Sequence, residues 1–174
     1  MEITFVDTGQ NCNVGQRLLR VKKFVQDQEV FLANYADGLT DLPLPKVIDY
    51  FFKATDKVAC FVGVRPTASF HVTSLEPDGL VRSIGHIADS GKLINGGYFI
   101  FRREIFGYIQ EGEDLVEEPF HRFIAERKLI AYPYDGFWTG MDTFKEKQRL
   151  EDLHARDVAP WKVWRNGAAK PLTS

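Results

Sequence analysis

Cysteine is scarce in this chain. Only Cys12 and Cys60 occur among 174 residues, too few for a disulfide framework or a cysteine-based zinc site. An excess of one charge is also missing, since 22 Lys and Arg stand against 24 Asp and Glu, a net of −2. That argues against a generic nucleic-acid binder, which carries a basic face. No apolar run approaches the roughly 20 residues of a membrane span, so no membrane partner is expected. Met1-Glu2-Ile3-Thr4 has neither the basic start nor the long apolar stretch of a signal peptide, and cytoplasm is the expected location. Internal repeats, low-complexity blocks and linkers are absent too. So are the Gly-x-Ser-x-Gly elbow, the Walker loop and the dinucleotide fingerprint. His71, His86, His121 and His154 show no metal-ligand spacing.

What remains is a soluble, globular composition, 44% hydrophobic and 26% charged, with length enough for one core without a disulfide or metal staple. Ile3-Thr4-Phe5-Val6 reads as a buried strand running into Asp7-Thr8-Gly9. Leu18, Val21, Phe24 and Val25 recur at helical spacing. Val30 to Tyr35 reads as a strand, Pro45 opens a helix with Val47, Ile48, Phe51 and Phe52 as its stripe, and Val58 to Val64 is a buried strand. This alternation predicts an α/β fold with parallel pairing. Phe70 to Leu75, a Pro77-Asp78-Gly79 turn and Leu80-Val81 then predict a β-hairpin that adds antiparallel pairing to the sheet. A strand over Gly97–Phe101, a helix around Phe120 and Phe123, a strand over Leu129–Tyr132 and a charged helix capped by Thr143 complete the reading. Residues 1–164 are expected to form one mixed α/β domain, with a loose tail over 165–174.

Few residues suggest chemistry. Asp37 sits at the carboxyl end of a buried strand before Gly38, where a carboxylate suits a Mg2+ held on phosphates. A plain Asp-Gly turn explains it as well. Asp142, just before a helix, is either a second such carboxylate or an acid favoured by the helix dipole. Asn95-Gly96-Gly97 offers backbone N–H groups and an amide to sugar hydroxyls, or forms a tight hairpin turn. Arg17 and Lys92 are either phosphate partners or solvated surface groups. Cys60 reads as packing.

Taken in order, Val6-Asp7-Thr8-Gly9, Gly15-x-Arg17-Leu18, Tyr35-Ala36-Asp37-Gly38 and Ile94-Asn95-Gly96-Gly97-Tyr98-Phe99 resemble the sugar-phosphate nucleotidylyltransferases. Gly136-Phe137-Trp138, Met141-Asp142-Thr143 and Ala159-Pro160-Trp161-Lys162-Val163-Trp164 are similar to the branch that transfers CMP from CTP onto glucose 1-phosphate. The resemblance runs from Ile3 to about Trp164. It implies a Rossmann-like fold of the nucleotide-diphospho-sugar transferase type, a mixed, mainly parallel sheet with a β-hairpin insertion. It also implies Mg2+ as cofactor, CTP and glucose 1-phosphate as substrates, and a homo-oligomer. Asp37 and Asp142 match the family's metal ligands. Arg17, Asn95 and Gly96 match substrate contacts, as do Cys12 and Ala36, which stand where the family usually has Thr and Gly. Ser83-Ile84-Gly85-His86-Ile87 replaces the family's common Glu-Lys-Pro. The family's Gly-Gly-x-Gly-Thr-Arg-Leu loop and Pro-Lys-Pro do not occur in these residues. The resemblance therefore leads to the expectation that the first βαβ portion, on the order of 90 residues, is missing before Met1, and that activity of this stretch is weak or absent. The alternative is a non-catalytic sugar-phosphate-binding or oligomerisation module.

Overall fold

The computed structural model describes residues 2–166. In chain order the regular elements are α1 (Val14–Val25), β1 (Val30–Asn34), β2 (Leu39–Thr40), α2 (Leu44–Lys53), β3 (Ala59–Val64), β4 (His71–Leu75), β5 (Val81–His86), β6 (Ile94–Arg102), α3 (Glu118–Ala125), β7 (Leu129–Tyr134), β8 (Trp138–Thr139) and α4 (Phe144–Ala155). Short 3-10 turns occur at Ile87–Asp89, Arg103–Gly107 and Val163–Asn166. The expected tail over 165–174 thus begins inside a 3-10 turn, and residues 167–174 lie outside the described residues.

The main sheet has four strands in the order β1-β6-β3-β7. Arg103 N–H donates to the Glu29 carbonyl before β1 and Tyr35 N–H, after β1, donates to Gly97, so β6 runs against β1. Arg102 N–H on the Val58 carbonyl sets β6 against β3 in the same way. β3 and β7 start together, with Val58 and Ala59 N–H on the Lys128 carbonyl. Three of the four strands therefore share a direction, as the mixed and mainly parallel expectation requires.

The chain divides into two compact units. The first comprises Met1–Ala33, Pro45–Phe61 and Tyr98–Tyr132. Its interior is aromatic: Phe51, Phe101 and Phe123 are fully buried with Ile105, and Phe31 packs 5.7 Å from Phe101. In α1, Asn13 and Gln16 exchange hydrogen bonds as a capping box, which satisfies two otherwise orphaned N–H groups. In α2, Val47 and Phe51, four apart, form the buried stripe, as the 3.6-residue period requires.

The second unit comprises Asn34–Leu44, Val62–Gly97 and Pro133–Ser174. It holds two antiparallel ribbons, β2-β8 and β4-β5. Its helix, α4, starts at Thr143, which exchanges hydrogen bonds with Glu146 as the sequence suggested.

Three expectations need correction. Residues 3–6 form no strand, and Phe5 is 92% exposed, because no described segment offers a ladder to its N–H and C=O groups. The hairpin does not join the main sheet: β4 and β5 pair only with each other, and both are exposed along nearly their whole length. The antiparallel member of the sheet is instead β6. Lastly, the strand before Asp37 is not a buried one, since β1 lies at the sheet edge and only Phe31 in it is buried.

Candidate functional site

In the second unit, the short β2-β8 ribbon fixes where the two candidate carboxylates lie. Its register pairs Leu39 with Thr139 and Thr40 with Trp138. Asp37 lies two residues before Leu39 and Asp142 three residues after Thr139. In an antiparallel pair those positions fall at the same end of the ribbon. Both residues are exposed, while Gly38 between Asp37 and the ribbon is buried. Asp142 Oδ2 lies 3.2 Å from the point where a β-carbon on Gly140 would stand, and the Trp138 ring is 3.7 Å from that same point. Ala36 is exposed beside Asp37.

Other polar groups are committed to holding this ribbon. Thr40 Oγ1 donates to the Phe137 carbonyl at 2.7 Å. The Asp41 carboxylate accepts from Phe137 N–H at 2.9 Å and from the Tyr134 hydroxyl. Glu146 Oε2 accepts from the N–H groups of Asp142 and Thr143, 2.9 Å each. The Thr143 hydroxyl, and then these N–H groups, hold the Glu146 carboxyl below its usual range. Asp41 and Glu146 are therefore structural acids. The side chains of Asp37 and Asp142 accept no hydrogen bond and join no ion pair among the described residues.

The start of β6 supplies the second half of the arrangement. Asn95-Gly96-Gly97 is not a hairpin turn but lies within the strand. Asn95 Oδ1 accepts from Gly97 N–H at 2.9 Å, which leaves its Nδ2 aimed toward the Tyr35 hydroxyl, 3.5 Å away. Gly96 passes so close to β3 that a β-carbon would stand 3.0 Å from the Val62 carbonyl. Gly97 has φ +74, and a β-carbon there would meet the Tyr35 ring at 2.3 Å. Both positions therefore demand glycine. Tyr35 N–H donates to the Gly97 carbonyl at 3.1 Å, and Trp138 Nε1 to the Gly96 carbonyl at 2.8 Å. Five of the seven expected site residues, Ala36, Asp37, Asn95, Gly96 and Asp142, thus belong to one compact unit.

Cys12 and Arg17 belong to the other unit. Arg17 Nε donates to the Cys12 carbonyl at 3.0 Å and Nη1 to Thr8 Oγ1 at 2.9 Å. Its guanidinium thereby ties down the loop that Asp7 turns by accepting from Gly9 N–H at 2.8 Å. Cys12 is half-buried and engages through its carbonyl. The buried Cys60 thiol is pushed up to about 12 by desolvation, which fits packing rather than nucleophilic chemistry. Lys92 is exposed.

Sequence reasoning missed Tyr35, Asp41 and Trp138. Tyr35 and Trp138 stand within the motifs that carry the resemblance, but nothing there gives either a role of its own, and Asp41 carries no signal.

Among the described residues, no three His, Cys, Asp or Glu side chains gather into a metal-holding group. Two exposed carboxylates at one ribbon end are nonetheless a donor set that fits Mg2+. That ion is held by one or two carboxylates and fills the rest of its shell with water and substrate phosphate. No helix of the described residues is long and apolar enough to cross a membrane.

No family model matches the chain. It is 37% identical over 164 residues to a glucose-1-phosphate cytidylyltransferase of Salmonella typhi, covering 93% of this chain and 63% of that protein. It is 30% identical over 165 residues to a "Probable glucose-1-phosphate cytidylyltransferase" of Bacillus subtilis strain 168, covering 94% and 64%. Among solved structures it resembles a Bacillus anthracis protein assigned as a glucose-1-phosphate thymidylyltransferase, crystallised with a sucrose. The TM-score is 0.60 at 16% identity, over 86% of this chain and 63% of that one. HddC from Yersinia pseudotuberculosis matches at a TM-score of 0.55 and 16% identity, over 80% and 62%. The chain thus has the α/β fold of these solved structures, and nearly all of it is similar to glucose-1-phosphate cytidylyltransferases while spanning a little under two thirds of their length.

Proposed function

We propose that this stretch supplies the sugar-phosphate and metal half of a cytidylyltransferase site, for the reaction CTP plus glucose 1-phosphate to CDP-glucose plus pyrophosphate. The observation that carries the reading is the ribbon register, which supports a common site for Asp37 and Asp142. In the same unit lie Asn95 and Gly96.

In this reading a phosphate oxygen of glucose 1-phosphate attacks the α-phosphorus of CTP. A new P–O bond forms, the bond from the α-phosphorus to the bridging oxygen breaks, and pyrophosphate leaves. Such chemistry asks the protein for positioning and charge neutralisation rather than covalent help. Asp37 and Asp142 would hold Mg2+, which when bound supplies positive charge beside the phosphates. Asn95, seated beside Gly96, would take a sugar hydroxyl, and a site of that kind rejects a wrong sugar by leaving buried polar groups unpaired. Ala36 would border the substrate. The same reading makes the protein a homo-oligomer working in the cytoplasm on small molecules.

The test is calorimetric titration of the 174-residue chain with glucose 1-phosphate, with and without Mg2+. The expected result is binding that Mg2+ strengthens and that Asp142→Asn makes indifferent to Mg2+. Equal binding with and without Mg2+, or none at millimolar ligand, would remove the reading. The nucleotide loop of the family is not among these residues, so pyrophosphate release from CTP and glucose 1-phosphate is expected to stay below about 1 s⁻¹, the low end of ordinary turnover.

A further inference from the structure

We propose that Trp138 is a positioning residue. Its indole N–H, bound to the Gly96 carbonyl, sets the spacing between the ribbon's carboxylates and the Asn95 amide, so that one ligand is gripped at its phosphate and sugar ends together. The inference rests on the site reading above and adds to it a residue that touches neither end of the ligand.

Three observations lead there. The first is reach. Trp138 stands in β8, four residues before Asp142, and pairs with Thr40, three residues after Asp37. Its side chain nevertheless leaves the ribbon to donate to β6 at 2.8 Å.

The second is the acceptor. Gly96 and Gly97 are successive residues, and each carbonyl takes a bond from the ribbon side. Gly96 accepts from Trp138 Nε1, and Gly97 accepts from the N–H of Tyr35, two residues before Asp37. The lead-in to one ribbon strand and the side chain of the other thus clamp the same dipeptide.

The third is the lack of play at that dipeptide. Gly96 is buried, and a β-carbon there would stand only 3.0 Å from the Val62 carbonyl. Gly97 is held under the Tyr35 ring, and the Gly97 N–H is itself bound to Asn95 Oδ1 at 2.9 Å. A pull on the Gly96 carbonyl is therefore carried to the Asn95 amide through one peptide plane and one hydrogen bond.

The consequence is a chelate effect. A ligand with two ends gains from its second contact only when both subsites lie at the separation its own length allows. Without the indole N–H, each subsite would remain but their spacing would be held less tightly. Affinity for the two-ended ligand should fall, while affinity for either end alone should not.

Trp138→Phe keeps a ring and removes the donor. The experiment titrates the full chain and this variant with glucose 1-phosphate plus Mg2+, and separately with inorganic phosphate plus Mg2+. The variant should bind glucose 1-phosphate about tenfold more weakly, the scale of one lost hydrogen bond, and keep its phosphate affinity within about twofold. Equal weakening of both ligands, or of neither, would overturn the proposal and leave the site reading standing. Failure of the unaltered chain to bind either ligand would overturn both.

A measurement on the unaltered chain keeps the proposal falsifiable if the variant does not fold. The Trp138 indole N–H resonance should shift on saturation with glucose 1-phosphate plus Mg2+ and hold still with inorganic phosphate plus Mg2+. An indole resonance that ignores both ligands would overturn it.

Discussion

Two loops of this molecule, one in each compact unit, treat their charged side chains in opposite ways. In the first unit, Asp7 and Arg17 are both committed to the loop between them. The acid accepts from Gly9 N–H, and the base reaches Thr8 and the Cys12 carbonyl. In the second, the ribbon β2-β8 is held by Thr40, Asp41 and Glu146, and the carboxylates of Asp37 and Asp142 are left exposed. A charged group that already satisfies the backbone is a poor first choice as a ligand. One that the surrounding structure positions without engaging is a better one. The contrast favours the second unit as the place for the proposed metal and sugar-phosphate chemistry, and Arg17 has a structural duty in holding its own loop.

The largest expected effect tests the side with exposed acids. Asp37→Asn combined with Asp142→Asn should lower Mg2+ or Mn2+ affinity by more than about tenfold, because even residues one layer removed from a metal cost that much. Thermal unfolding should hardly move. A variant that binds metal normally but unfolds early would reverse the roles assigned to these acids.

Next come the glycines at the start of β6. Gly97→Ala faces both a positive φ and the Tyr35 ring, and should cost roughly 3 kcal/mol in urea unfolding, combining left-handed strain with overpacking. Gly79→Ala, at φ +89 but with nothing within 4 Å, should cost only about 1–2 kcal/mol. Equal costs would mean that Tyr35 does not press on β6.

Much of this arrangement was legible in the sequence. Val47, Ile48, Phe51 and Phe52 announce α2 by their spacing, although Phe52 stays 48% exposed, Thr143 announces the start of α4, and Asp37-Gly38 and Asp142 could be singled out as acids beside turns. Ile3–Val6 misled because apolar alternation reports a preference, while a strand also needs a neighbour to bond. Trp138 stood out only as part of a motif, and its partner escaped because the bond joins residues 42 positions apart, and no local pattern encodes a contact that the fold creates. The division of labour between Asp41 and Asp37 was invisible for the same reason.

Smaller effects sharpen the contrast further. Thr143→Ala should cost about 1 kcal/mol through loss of the cap. The Glu146 carboxyl lies below its usual range in the folded chain, so it contributes stability that is present above its unfolded pKa and lost as the pH falls through the folded one. Acid unfolding of the unaltered chain should therefore show a stability loss below about pH 4.5, the unshifted Glu value, that Thr143→Ala diminishes. Arg17→Ala should cost under about 1 kcal/mol, since its two bonds are exposed. It should quicken amide exchange at Gly9 and Cys12 while leaving metal affinity alone. A loss of metal affinity there would break the separation between the two regions.

The most direct measurement of the central claim is paramagnetic broadening of backbone amides by substoichiometric Mn2+. The account predicts that Gly38, Met141 and Asp142 broaden first and together, and that Asp142→Asn abolishes the effect. Broadening centred on the adjacent rings of His71 and His86, 5.5 Å apart on the hairpin, or on Gly38 without Asp142, would contradict it.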